Sequence, residues 1–331
     1  MRNDNTKVVA IGGGTGLSTM LRGLKNQTRK ITAIVSVADD GGSSGILRGD
    51  YGMLPPGDVR SCIAALAETD PVFDELLSYR FKDGTFKGHS LGNLFLAALN
   101  EMSASFDEAV DKLSHALGVV GKIYPVTNEE VTLSAILEDG RRINGESHIG
   151  HRNGMEGKVD HVFLTPARPK AVEGAIEALD EADIIVLGPG SLYTSIIPNL
   201  LVDGIPQAIK RSKAIKIYVC NLMSQAGETE NYTVHDHLEA IEKHSYKGIV
   251  DFVIANNEPI PQSIIDRYAE ENAYMVEVDA EKFTDPKTLL VQGDLLLVQD
   301  EKLRHNFSRL ARAIMILQRR IAGRGQLYDT N

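Results

Sequence analysis

Residues 7–16 read Lys7-Val8-Val9-Ala10-Ile11-Gly12-Gly13-Gly14-Thr15-Gly16. A short apolar, β-branched run with no polar alternation marks a strand buried on both faces. The glycines that follow at once permit positive φ and close approach of a ligand to the backbone. Leu17, Met20, Leu21 and Leu24 then recur at helical spacing, and Ile31 to Val37 is a second buried strand. Strand, glycine turn, helix and strand make a βαβ unit. The helix of such a unit aims its free N–H groups and the positive end of its dipole at the turn, where a phosphate is the usual occupant. Gly13, Gly14, Thr15 and Gly16 are therefore candidate ligand-binding residues. The turn departs from the dinucleotide fingerprint, because Gly12 and Gly14 fit its first two glycines but the third position is Leu17. It lacks the Gly-Lys-Ser/Thr of a Walker A loop. A tight turn that binds nothing is the alternative.

Beyond this unit, Ala38 to Pro56 reads as loop, and helices are expected at Asp58–Glu68, Leu91–Asn100 and Phe106–Leu117, with Asp58 and Ser90 as N-caps. Glu138-Asp139-Gly140 is a turn between extended runs, which places a β-hairpin inside the α/β body. From Val159 the alternation of strand and helix resumes, through strands at Asp183–Leu187, Ile215–Cys220 and Val250–Ala255 and a short one near Met275. A final helix over Lys302–Ile321 carries an apolar stripe of Leu303, Phe307, Leu310, Ile314, Leu317 and Ile321, suited to core packing or to the seam of a homo-oligomer. The fold class expected is α/β, a Rossmann-like, doubly wound and mostly parallel sheet with an inserted β-hairpin. Residues 1–321 would form one domain, with the insertion at about 127–165 and a flexible tail at 322–331.

The net charge of −10 argues against nucleic acid and anionic membranes as partners. Two distant cysteines, Cys62 and Cys220, form neither a disulfide framework nor a zinc site. No apolar run reaches membrane-spanning length and no signal peptide is apparent, so membrane insertion is not expected and a cytoplasmic location is.

Further candidates sit where doubly wound sheets bind ligands, at the carboxyl ends of strands. Asp39, Asp40 and Gly41 open a second glycine and serine cluster, suited to an anion nest or to acids that hold a hydroxyl or a metal ion. Gly188, Gly190 and Ser191 make a second strand-then-glycine turn. Asn221 to Thr229 follows another strand, with amides and hydroxyls able to read a base or a sugar. His89, just before Ser90 and Asn93, opens a helix that could face an anion. The pairs His148/His151 and His235/His237 lie in no metalloprotease motif and read as ordinary surface or hydrogen-bonded histidines.

The ordered set of the glycine turn, Ala38 to Gly45, Leu54 to Arg60, Gly92-Asn93, Gly188 to Ser191 and Cys220 to Met223 resembles the YvcK family. These are the bacterial gluconeogenesis factors, cousins of CofD, the 2-phospho-L-lactate transferase of deazaflavin coenzyme synthesis. The likeness runs over about residues 7 to 320. It implies a CofD-like fold, binding of a UDP-sugar such as UDP-N-acetylglucosamine, and a role in cell shape and envelope metabolism on gluconeogenic carbon sources. That role would run through an unidentified protein partner in envelope synthesis, with no required cofactor and no demonstrated reaction. The likeness also implies that Tyr268 and Arg304 contact the nucleotide. A tyrosine can stack on uracil, and an arginine at a helix start can pair with a diphosphate. A CofD-like transferase is the alternative, with Asp40 or Asp58 holding a metal ion such as magnesium. An NAD-binding oxidoreductase comes third, for want of the third glycine and of a proton relay.

Overall fold

Residues 5–150, 157–299 and 302–328 are described by the structure, a computed structural model. The chain runs β1 (Val8–Gly12), α1 (Gly14–Leu24), β2 (Ile31–Val35), α2 (Gly42–Tyr51), α3 (Gly57–Leu66), α4 (Pro71–Ser78), α5 (Leu91–Glu101), α6 (Phe106–Ala116) and β3 (Lys122–Pro125). An arm follows, of β4 (Thr132–Leu137), β5 (Arg142–Asn144), the short α7 (Glu146–Gly150) and β6 (Val159–Thr165). Then come α8 (Glu173–Glu181), β7 (Ile184–Leu187), a π-turn leading into α9 (Ile197–Leu200), α10 (Ile205–Arg211), β8 (Ile215–Val219) and α11 (Val234–Lys243). β9 (Phe252–Asn256), α12 (Gln262–Glu270), β10 (Leu289–Gly293), β11 (Leu296–Gln299), β12 (Lys302–His305) and α13 (Phe307–Tyr328) complete it.

The main sheet is parallel throughout, in the order β10-β9-β8-β7-β1-β2-β3. β1 and β7 are buried at every position, as strands covered by helices on both faces must be. Strand order reverses between β1 and β7, which lie side by side with Val8 opposite Ile184 and Ile11 opposite Leu187. Both end in glycine turns, so the crevice that a doubly wound sheet opens at its reversal point is walled by the two turns. Leu17, Met20, Leu21 and Leu24 turn α1 onto the core.

Several expectations are corrected. Ala38 to Pro56 is not all loop, for α2 occupies Gly42–Tyr51 and ends on Gly52 at φ 60, a left-handed cap. Its glycines and serines hid a helix that buries Ser43, Ser44 and Leu47. Asp58 is not an N-cap but lies inside the first turn of α3, whereas Ser90 does cap α5, accepting a bond from the Asn93 N–H. The inserted hairpin gains a third strand: β4 pairs antiparallel with both β5 and β6. The segment near Met275 forms only single bridges, to Met223 and from Glu277 to Thr233. The last helix starts at Phe307, because Leu303 and Arg304 belong to β12, paired antiparallel with β11. The Asn306 side chain accepts from the Arg309 N–H, the N-cap signal the stripe obscured. Leu310, Ile314 and Leu317 are buried, and α13 packs on α1 so closely that a Cβ at Gly23 would fall 2.2 Å from the Phe307 carbonyl oxygen. Among the described residues no helix is long and apolar enough to cross a membrane.

Candidate functional site

A cleft of about 250 Å³ opens at the carboxyl ends of β1, β7 and β8. Thr15, Gly16, Gly190, Ser191, Asn221, Met223, Tyr268 and Arg304 line it together, from segments up to the full length of the domain apart. Thr19, Pro189, Leu222, Leu303 and His305 line it too, and none of these was named as a site residue from the sequence. A larger cavity of about 380 Å³ lies at the amino ends of β1, β2 and β3. Its Lys7 is already paired with Glu181 at 2.8 Å, and the cavity lies at the end of the sheet opposite the glycine turns that follow β1 and β7, so the candidate site is the smaller cleft.

Local geometry explains the convergence. Gly14 sits at φ +66, and a Cβ on Gly16 would stand 2.5 Å from the Pro189 carbonyl oxygen. A side chain at position 16 would therefore drive the two glycine turns apart. Gly190 donates its N–H to Asn221 Oδ1 at 3.2 Å, and the Ser191 hydroxyl bonds Gln225 Oε1 at 2.7 Å. The loop after β8 is pinned by Ser224, whose Oγ accepts from the Tyr274 N–H at 2.9 Å. Tyr268 reaches in from α12, and its hydroxyl accepts from the Leu303 N–H at 3.0 Å. Arg304, on the β11–β12 hairpin and not at a helix start, makes no ion pair among the described residues. His305 is buried, and burial pushes its pKa down to about 4. It is neutral at physiological pH and donates Nε2–H to the Cys220 carbonyl at 3.1 Å.

The other flank of the first glycine turn is acidic. A Cβ on Gly13 would lie 2.6 Å from Asp58 Oδ2, and the Asp58 carboxylate accepts from the Gly14 N–H. Gly13 and Gly14 thus face a protein carboxylate, and the first turn of α1 presents Thr15 and Gly16 to the cleft. Burial pushes the pKa of Asp58 up to about 6, reinforced by the neighbouring charge of Asp39 and opposed by the Gly14 bond and Arg60. Burial also raises Glu146, at the tip of the arm, to about 8, with Asp39, Glu228, Asp40 and Asp58 all contributing. Asp39 Oδ1 accepts from the Gly41 N–H at 2.9 Å, while Asp40 Oδ1 is engaged by the Ser147 N–H at 2.9 Å. The acid that faces Asp58 is therefore Asp39 rather than Asp40, which anchors the arm. Half-buried carboxylates with raised pKa values mark functional sites more often than structural ones.

Asn93 is brought to neither flank. It is buried, donating Nδ2–H to Ser43 Oγ at 3.1 Å, and Ser43 Oγ lies 3.0 Å from His89 Nδ1. These residues tie α5 to the first turn of α2 and so hold the Asp39–Gly41 loop. His148 and His237 bond backbone carbonyls of their own segments, as ordinary histidines do, and His151 lies outside the described residues. Cys62 and Cys220 are free and buried, and burial raises both thiols, Cys220 to about 12.

Comparison with known proteins agrees with this architecture. A family model described as 2-phospho-L-lactate transferase CofD matches residues 8–296. A relative in Thermoanaerobacterium thermosulfurigenes is 52% identical over 310 residues, covering 93% of this chain and 96% of its own. The gluconeogenesis factor of Bacillus subtilis is 42% identical over 312 residues, covering 94% and 98%. A crystal structure of a UPF0052 family member from Bacillus halodurans, 46% identical, superposes with a TM-score of 0.90 over 93% of this chain and 99% of that one.

Proposed function

Because the chain belongs to the CofD family, we propose that it is a gluconeogenesis factor whose cleft binds a UDP-sugar of the UDP-N-acetylglucosamine type. The observation that carries this reading is the meeting of Tyr268 and Arg304 with the Thr15–Gly16 turn in one cleft. An aromatic face, a guanidinium without a protein counter-charge, and helix N–H groups are what a base and a diphosphate need. In the cytoplasm the occupied protein would report the level of an envelope precursor to a protein partner and so act on cell shape during gluconeogenic growth. Titration calorimetry of the full chain with UDP-N-acetylglucosamine tests it. Saturable heat without turnover, weakened by Arg304→Ala, is expected; no heat with any UDP-sugar removes the reading.

One observation favours a second reading, a CofD-like transferase. Asp39 and Asp58 stand close beside the cleft, their negative charge offset only in part by Arg60. No group of three or more metal-ligating side chains exists among the described residues. Two carboxylates nevertheless suit magnesium, which keeps waters and takes phosphate oxygens from its substrate. Asp39 and Asp58 would hold it, and the ion would stabilise charge on a transferring phosphoryl group. Nucleotide release from activated donors in the presence of magnesium is the measurement that separates the two.

A further inference from the structure

We infer that the wall formed by Ser191 and Asn221 reads the hydrogen-bonding edge of a nucleobase, accepting lactam bases and rejecting amino bases, with Gln225 and Glu228 as positioning residues. This rests on the nucleotide reading above and goes beyond it to the rule by which the base is chosen.

The polarity of each atom follows from its partners, although an amide's O and N are interchangeable by shape. Glu228 is 1% exposed. Its Oε2 accepts from the Tyr193 N–H at 3.1 Å, and its Oε1 takes the Thr194 hydroxyl at 3.0 Å. A carboxylate surrounded by donors has only lone pairs to offer. Gln225, 3.0 Å from the same Oε1, must therefore turn its NH₂ to Glu228 and its carbonyl oxygen to Ser191. That oxygen accepts only, so the single hydroxyl hydrogen of Ser191 is spent on it at 2.7 Å. What Ser191 keeps for the cleft is lone pairs.

The neighbouring atom has the opposite sign. The Gly190 N–H can only donate, so the Asn221 atom 3.2 Å away is its oxygen. The Asn221 NH₂ is left for the cleft, where no described residue receives it. The wall thus presents an acceptor at Ser191 and a donor at Asn221. The complementary edge carries N–H beside C=O, as in N3–H/O4 of uracil or N1–H/O6 of guanine. With the base held so that its ring nitrogen meets Ser191 and its exocyclic group meets Asn221, cytosine and adenine present a bare ring nitrogen and an amino group there, so both contacts would set like against like.

The experiment titrates the full chain with UDP against CDP and with GDP against ADP, pairs matched in size and charge. The wild type is expected to prefer the lactam member of each pair by roughly ten- to hundredfold. Ser191→Ala, and Glu228→Gln, which frees Gln225 to rotate, should each collapse the UDP/CDP ratio to within a few-fold. Ser191→Ala removes one exposed-side hydroxyl and keeps the test valid if Glu228→Gln fails to fold. CDP binding as tightly as UDP, or a ratio unmoved by Ser191→Ala, overturns the inference while leaving nucleotide binding in place. Binding of none of the four nucleotides overturns the nucleotide reading itself.

Discussion

Asp58→Asn should make the unliganded protein more stable at neutral pH. Asp58 is held beside Gly13 and Gly14 with its pKa raised from 3.8 to about 6. The folded state therefore binds a proton that the unfolded chain has released between these values. The stability linked to this group is full below pH ~4 and is lost as pH rises through about 6. A raise of about 2 units is worth about 3 kcal/mol once the group is ionised. Asparagine stays neutral, fills the same volume and can still accept from the Gly14 N–H, so most of that cost disappears. At pH 7.5 the variant should gain about 2–3 kcal/mol, a rise in Tm of roughly 3–4 °C for a chain of this size. The advantage should shrink on acidification and vanish near pH 4. Thermal melts of both proteins from pH 4 to 8 measure it. A variant less stable than the wild type at pH 7.5, or a gap that does not change with pH, would refute the claim that the acid is desolvated and repelled in place.

Other consequences are independent of that one. Gly16→Val sets a side chain against the Pro189 carbonyl, 2.5 Å from the first added carbon, and should cost about 3 kcal/mol or more while abolishing nucleotide binding. Chemical denaturation reads the first effect and calorimetry the second. Arg304→Ala should leave the melting temperature unchanged, because the guanidinium pairs with no acid among the described residues, and should weaken UDP binding roughly ten- to hundredfold by removing a charge-assisted contact. If magnesium bridges Asp39 and Asp58 to a diphosphate, chelation should weaken UDP binding in the wild type and do little in Asp39→Asn, as seen by titration with and without EDTA. An equal effect of the chelator on both proteins would place the metal elsewhere.

The buried strands and the two glycine turns were legible because each is a local pattern: an apolar run that stops at small residues. The alternation of elements implied a doubly wound sheet and the two glycine turns implied a crevice between them, but that β1 and β7 are the neighbours at the reversal is set by the strand order alone. Elements whose composition argues against their structure were hidden. α2 is built from Gly42, Ser43, Ser44 and Gly45 and stands because α5 holds Ser43 and the helix buries Ser44 and Leu47, which propensity does not register. β12 merged with the apolar stripe of α13, since Leu303 and Phe307 keep helical spacing across Asn306. In the site, Tyr268 and Arg304 carried no local signal and were reached only through family resemblance. The pairing of Asp39 rather than Asp40 with Asp58 could not be read from a sequence in which the two acids are adjacent. Side-chain direction at the end of β2 decides it, and that direction is set by the arm, whose Ser147 N–H claims Asp40.

The first glycine turn divides the site into halves of opposite charge, and this constrains how a nucleotide diphosphate can lie. Asp58 takes the Gly14 N–H, and Asp39 and Glu146 stand behind it. A phosphate charge about 5 Å from one of these carboxylates would be repelled by about 3 kcal/mol at an effective dielectric constant of 20. Two such carboxylates outweigh the 0.3–1 kcal/mol or so that a helix N-terminus returns. On the far side of Thr15 and Gly16 the ledger reverses, because Arg304 faces the cleft with its charge uncompensated. A diphosphate is therefore drawn to the Arg304 side of the turn, with the base toward Ser191 and Asn221. The acidic flank is left to the end of the ligand that carries hydroxyls, or to a cation. A sugar with free hydroxyls can donate to carboxylates that would expel a third phosphate. On charge alone the cleft suits a nucleoside diphosphate joined to a sugar better than a triphosphate, and the raised pKa values of Asp58 and Glu146 are the cost the unliganded protein bears for holding that flank ready.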